Sequence, residues 1–125
     1  MKIGLVADEN GTELKEWAVK ALKEFGIEYT DYSHEGDVAG VLHACGDEEC
    51  DLVFGFSLYG QTLAAIANKM HGVIGHVIYT AAVAERAVEH GANFLSFSAR
   101  DIPKGLFDVD QSIRSIIKGI ANGSD

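Results

Sequence analysis

The feature that most constrains this chain is its punctuation: short β-forming runs alternate strictly with amphipathic stretches from one end to the other. Residues 2–7 (KIGLVA) are an apolar run of strand length that stops at Asp8. Leu14, Trp17, Ala18, Ala21, Leu22 and Phe25 then recur at helical spacing, with Thr12 placed to cap the helix and Gly26 to end it. Residues 27–32 read as a second strand and 33–36 as a polar loop. A helix over 37–45 is capped by Asp37 and turns Val38, Val41 and Leu42 inward. The same rhythm gives strands at 51–56, 73–79 and 94–98, with helices at 62–69 and 81–90 closed by Gly72 and Gly91. A last amphipathic helix is expected over 108–121, carrying Val109, Ile113, Ile116, Ile117 and Ile120 on one side.

A connection long enough to hold a helix returns the chain in the direction it came, so neighbouring strands must be parallel and covered on both faces. Right-handed crossovers leave few arrangements. The expected fold is α/β: a three-layer, doubly wound, Rossmann-like domain over residues 1–125 with a five-stranded parallel sheet. Ligands on such sheets bind beyond the carboxyl ends of the strands. That rule nominates Asp8–Gly11, Ser33–Gly36, Ser57–Gln61, Tyr79–Thr80 and Ser98–Arg100.

Charge narrows the partners. Ten Lys and Arg against nineteen Asp and Glu give a formal charge of −9. Such a surface repels nucleic acid and anionic membranes, and a phosphorylated ligand needs local donors. No apolar run approaches a membrane span. The opening MKIGLVADENG turns acidic too soon for a secretory signal, and two cysteines make no disulfide framework. The expected setting is the reducing cytoplasm.

Two stretches carry a family likeness. MKIGLVADENGTELKEW resembles the opening of the ribose-5-phosphate isomerase B and galactose-6-phosphate isomerase family, in which a strand runs into Asp-His-Ala-Gly and a Glu-Leu-Lys helix. Asp8, Gly11, Glu13, Leu14 and Lys15 match, and Glu9 stands where histidine is common. SLYGQTLAAIANKMHGVIGHVIYTAAVAERAVEHGAN is similar to the family's catalytic loop, Ala-Asn-Lys helix and histidine-ended helix, through Ala67, Asn68, Lys69, Gly72, Tyr79, His90, Ala92 and Asn93. With the alternation, the resemblance implies the strand order 2-1-3-4-5. It also implies a homodimer or a heteromer with a paralogous subunit, because the family borrows its histidine from the neighbour. The departures are specific. Ser57 takes the place of the family's cysteine base, and Leu58-Tyr59-Gly60 replaces a Gly-Thr-Gly-like run. The Tyr-Gly pair is similar to the A subunit of galactose-6-phosphate isomerase. The family's arginine-rich C-terminal segment has no counterpart in GIANGSD.

The activity implied is aldose–ketose isomerisation of a small phosphorylated sugar through an enediolate, with no cofactor. That chemistry needs an acid/base for ring opening, a base for the carbon-bound proton, and donors for the developing oxyanion. The resemblance assigns ring opening to His90, whose bland reading is a polar residue favoured by a helix C-terminus. Asp8 is a candidate base if burial raises its pKa. Ser57 falls at the catalytic position but lacks an activating neighbour, and the reading as a turn residue or helix cap is favoured. Glu9, Asn10, Gly11, Tyr59, Gly60, Asn93 and Arg100 complete the expected substrate contacts, with Lys104 a further cation beside them. Asp8 with Glu9 is weak evidence for Mg²⁺, and His43, Cys45 and Cys50 fit no strong zinc spacing, so no metal is expected. His76, inside an apolar strand, reads as a core or interface residue.

Two other classes compete. A non-catalytic sugar-binding or partner subunit explains the joint loss of cysteine, glycine-rich loop and arginine tail. A receiver domain is suggested by VADEN, but Ser57 stands where a phosphoacceptor aspartate belongs.

Overall fold

Parallel pairing joins five strands in this computed structural model, which describes residues 1–101 together with Arg114, Ile117 and Lys118. The strands are β1 (Lys2–Ala7), β2 (Glu28–Asp31), β3 (Leu52–Ser57), β4 (Gly75–Ile78) and β5 (Phe94–Ser98). They are linked by α1 (Thr12–Glu24), α2 (Asp37–Gly46), α3 (Gln61–Ala67) and α4 (Ala81–Glu89). The doubly wound parallel sheet is as the alternation requires, with β1 beside β2 and β3. At the other edge the order is β3-β5-β4, so the last two strands exchange the places given by 2-1-3-4-5. The reason is burial. Phe94, Leu95, Ser96, Phe97 and Ser98 are all 0% exposed, as an interior strand demands, whereas β4 carries Gly75 and an exposed His76 and suits an edge.

Period-two alternation divides the core. Ile3, Leu5, Phe54, Phe56, Leu95 and Phe97 face α1 and α4, while Val6, Val53 and Phe94 face α2 and α3. The connections through α1 and α4 cross the sheet in one direction and those through α2 and α3 in the other, so right-handedness puts each pair on its own face. Phe97 stacks on Phe56 at 5.2 Å and meets Phe54 edge-on at 5.3 Å. Ile117 joins this layer, and Arg114 forms a two-pronged ion pair with Glu24 of α1 at 2.6 and 2.7 Å. The rest of the helix expected over 108–121, and Lys104, lie outside the described residues.

Three local expectations are corrected. In α2 the buried stripe is Gly40, Val41 and Ala44, while Val38 and Leu42 are exposed. A Cβ on Gly40 would stand 2.9 Å from the Tyr32 carbonyl oxygen, so the smallest residue, not the largest, faces the sheet. At α1 the cap position falls to Gly11, with no side-chain cap. Asp8 instead caps the short turn Glu9–Gly11 just before it, its carboxylate accepting from the Gly11 amide at 2.9 Å, and Thr12 is already helical and donates its hydroxyl to the Asp8 carbonyl. Gly36, not Asp37, likewise holds the cap position of α2.

The amino edge of the sheet is closed by charge. Asp47 accepts from the Tyr32 hydroxyl at 2.5 Å and from Lys2 Nζ at 3.2 Å. The Tyr32 hydroxyl, then the Glu49 amide and Lys2, hold the Asp47 carboxyl well below the usual range, and the same contact pushes Tyr32 up to about 12. A carboxyl depressed on folding stabilises fully above its unfolded pKa of about 3.9 and loses that contribution as pH falls toward its folded value. Asp47→Asn is therefore expected to lower the urea midpoint at pH 7, with the gap to the wild type narrowing below about pH 4. A gap that stays constant down to pH 2 would sink this account.

Candidate active site at the carboxyl edge

Three loops converge where β1 and β3 send the chain to opposite faces. The first follows β1. Asp8 N–H donates to the Phe56 carbonyl at 3.0 Å, continuing the ladder, and the turn Glu9–Gly11 then lies directly on β3. A Cβ on Gly11 would overlap the Phe56 carbonyl, so only glycine permits this approach. The second loop runs from Ser57 to Gly60. Gly60 has φ +78° and donates its N–H to Ser57 Oγ at 3.0 Å. The third follows β5, where the Ala99 and Arg100 amides donate to the Ser57 and Leu58 carbonyls, each at 2.8 Å. Arg100 Nη1 donates to the Tyr59 hydroxyl at 2.9 Å, and its guanidinium lies 5.3 Å from that ring's centre.

The electrostatics distinguish Asp8. Burial pushes its carboxyl up, and the charges of Asp37 and Glu9 push the same way against the Gly11 and Asn10 amides. Glu9 and Asn10 are exposed on the rim, as are Tyr59 and Arg100. Ser57 is 4% exposed and its oxygen is occupied by the Gly60 amide, the arrangement of a turn-holding hydroxyl.

Within one chain, two of the expected site residues are not brought here. α4 runs back along the sheet, so His90 and Asn93 lie at the amino edge, the end opposite Asp8. His90 donates Nδ1–H to the Arg86 carbonyl at 2.8 Å, which leaves Nε2 free on an exposed ring. Asn93 clamps the turn before β4, accepting from the Ile74 amide at 2.8 Å and donating to the Gly72 carbonyl at 3.0 Å. Two other nominated loops have structural duties. Ser33 accepts from the Ala7 amide and donates to Asp31, and Thr80 caps α4 through the Val83 amide.

Ser96 and Ser98 bind the central loop, Ser98 steadied by Asp101; Ser98 was nominated with the loop after β5, whereas Ser96 and Asp101 were not among the expected residues. Ser96 Oγ donates to the Gly60 carbonyl at 2.5 Å, and Ser98 Oγ reaches Asp101 Oδ2 at 2.7 Å and the Leu58 carbonyl at 3.2 Å. The signal was present in SFS, since serines alternating with phenylalanine in a buried strand must find partners. Among the described residues no group of three or more His, Cys, Asp or Glu is gathered to hold a metal, and no helix is long and apolar enough to cross a membrane.

A doubly wound parallel sheet with polar loops gathered at the divergence of β1 and β3 defines a Rossmann-like α/β protein, a fold that binds ligands at such a divergence. The chain belongs to the ribose/galactose isomerase family, whose sequence profile it matches over residues 3–109. It is 36% identical over 97 residues to the ribose-5-P isomerase B of Listeria innocua, covering 70% of this chain and 64% of that relative's length. The ribose-5-phosphate isomerase B of Clostridium thermocellum superposes with a TM-score of 0.81 at 27% identity, over 94% of this chain and 84% of that one. The Thermotoga maritima enzyme shares the fold, with a TM-score of 0.80 at 23% identity over 96% and 85% of the two chains.

Proposed function

We propose that this chain is an aldose–ketose isomerase of a small sugar phosphate, ribose 5-phosphate or galactose 6-phosphate in type, working through an enediolate. The observation that carries the reading is the half-buried Asp8 carboxylate, made more basic by its surroundings and set beside the Ser57–Gly60 loop in a fold of this family. A carboxylate with a raised pKa is a better proton acceptor at neutral pH than an ordinary one. Asp8 takes the proton from the carbon beside the carbonyl and returns it to the neighbouring carbon. Amides of the Ser57–Gly60 loop receive the enediolate oxygen. Ser57 holds the loop rather than acting as base. Arg100, steadied on Tyr59, keeps donors free for the phosphate. Glu9 and Asn10 take sugar hydroxyls from the rim, and Gly11 and Gly60 let the backbone approach. One proton moves between adjacent carbons, so the reaction calls for no organic cofactor. A phosphorylated substrate fits a cytoplasmic setting.

Because His90 and Asn93 lie at the far edge of their own sheet, they serve a site on a second subunit, a copy of this chain or a paralogue, where His90 Nε2 opens the sugar ring. The purified chain is expected to interconvert aldose and ketose when tested over a phosphopentose and phosphohexose panel. Mixing inactive Asp8→Asn and His90→Ala chains should restore about a quarter of the wild-type rate, since half the dimers then hold one intact site in two. No recovery on mixing would remove the shared site. Turnover only after addition of a paralogue would make this chain the partner subunit instead.

A further inference from the structure

We infer that Ser98 and Ser96 of β5 are positioning residues: Ser98, with the turn it closes, locks the peptide planes after Ser57 and Leu58 so that the Leu58 and Tyr59 amides face the Asp8 side of the sheet edge as donors to an anionic oxygen, and Ser96 anchors the Gly60 end of the same loop. The inference rests on the isomerase reading above and names what keeps its oxyanion donors in place.

A hydroxyl removed from water must be bonded, and both serines are 0% exposed. Neither bonds within its own strand. Both reach the loop that follows β3, directly or through the turn after β5. Ser96 holds the Gly60 carbonyl. Ser98 shares its one proton between the Leu58 carbonyl and Asp101, and the Asp101 amide returns a bond to the Ser98 carbonyl at 3.2 Å. That closed turn presents the Ala99 and Arg100 amides to the Ser57 and Leu58 carbonyls. The carbonyls of Ser57, Leu58 and Gly60 are thus all drawn toward β5.

The rest follows from the planarity of the trans peptide, in which the N–H of one residue points opposite the carbonyl of the residue before. A Ser57 carbonyl turned to β5 sends the Leu58 N–H toward β1. A Leu58 carbonyl turned to β5 sends the Tyr59 N–H away from β5. Among the described residues no protein group accepts from either amide. The Gly60 amide is excluded from the set, because Ser57 Oγ already accepts from it. Donors held by bonds behind them need no reorientation when negative charge develops in front.

The test compares wild type with Ser96→Ala and Ser98→Ala, using two probes besides turnover. One is a phosphorylated hydroxamate, planar and anionic where the enediolate forms. The other is a phosphorylated polyol of the same length, neutral and tetrahedral at that place. Each variant is expected to lose about tenfold in kcat with KM changed less than about twofold. Hydroxamate affinity should fall by a similar factor and polyol affinity should not. A smaller folded fraction would scale both probes together, so the affinity ratio isolates the positioning effect. Unchanged kcat and an unchanged ratio in both variants overturn the inference and leave the isomerase reading standing. A wild type that turns over no sugar phosphate, alone or with a paralogue, overturns the isomerase reading, while the affinity ratio still reports whether the serines orient the amides.

Discussion

Asp8→Asn is expected to lower turnover about a hundredfold, the contribution of a positioned base, and to leave the melting temperature unchanged or higher. The two halves have one cause. Burial is the largest influence on the Asp8 carboxyl and raises its pKa, so the folded state holds this proton more tightly than the unfolded chain does. The group's effect on stability then turns unfavourable as pH rises from the unfolded value near 3.9 through the higher folded value, and it stays unfavourable above both. Asparagine removes that charge yet keeps an oxygen for the Gly11 amide, so the turn over β3 survives. The same shift predicts the acid limb of kcat/KM. The limb should lie above an ordinary aspartate's pKa, and Asp8→Asn should remove it from the residual rate. Stability curves and pH–rate profiles on the same two proteins check both halves. Full turnover in Asp8→Asn would assign the base elsewhere.

Gly60→Val is expected to cost about 3 kcal/mol of stability, combining a left-handed backbone that a β-branched residue resists with overpacking against a neighbouring strand. The φ of +78° is the first source. The second is geometric: a Cβ there would lie 2.8 Å from the Ser96 carbonyl oxygen and 3.1 Å from Val77 Cγ1. β5 is central and cannot withdraw, so the loop must move, taking the Leu58 and Tyr59 amides with it. Turnover should therefore fall further than the folded fraction does, and urea unfolding beside single-turnover rates separates the two. Gly91→Ala offers a contrast. It also has positive φ, +90°, but nothing lies within 4 Å of an added Cβ, so only the backbone penalty, about 1 kcal/mol, is expected.

Most of the framework was legible in the chain itself. Strand-length runs in KIGLVA and FLSFS, helical spacing in Leu14–Leu22, and glycine at Gly26, Gly72 and Gly91 are local signals, written over a few residues by backbone sterics and by which side chains avoid water. Over the described residues they determined the strands and the helices between them, the parallel sheet, and the edge at which Asp8, Ser57 and Arg100 meet. The tertiary structure decided what depends on competition between distant segments. β5 rather than β4 took the inner place because it buries both faces more completely. Gly40, not Val38 or Leu42, faced the sheet because a neighbouring carbonyl left no room for more. Asp8 became the cap of the turn before α1, and Ser57 Oγ took the Gly60 amide, because each amide went to whichever oxygen the packed chain brought nearest. His90 and Asn93 share a resemblance with the site but stand at the opposite edge, because a helix antiparallel to its strands must end where the next strand begins.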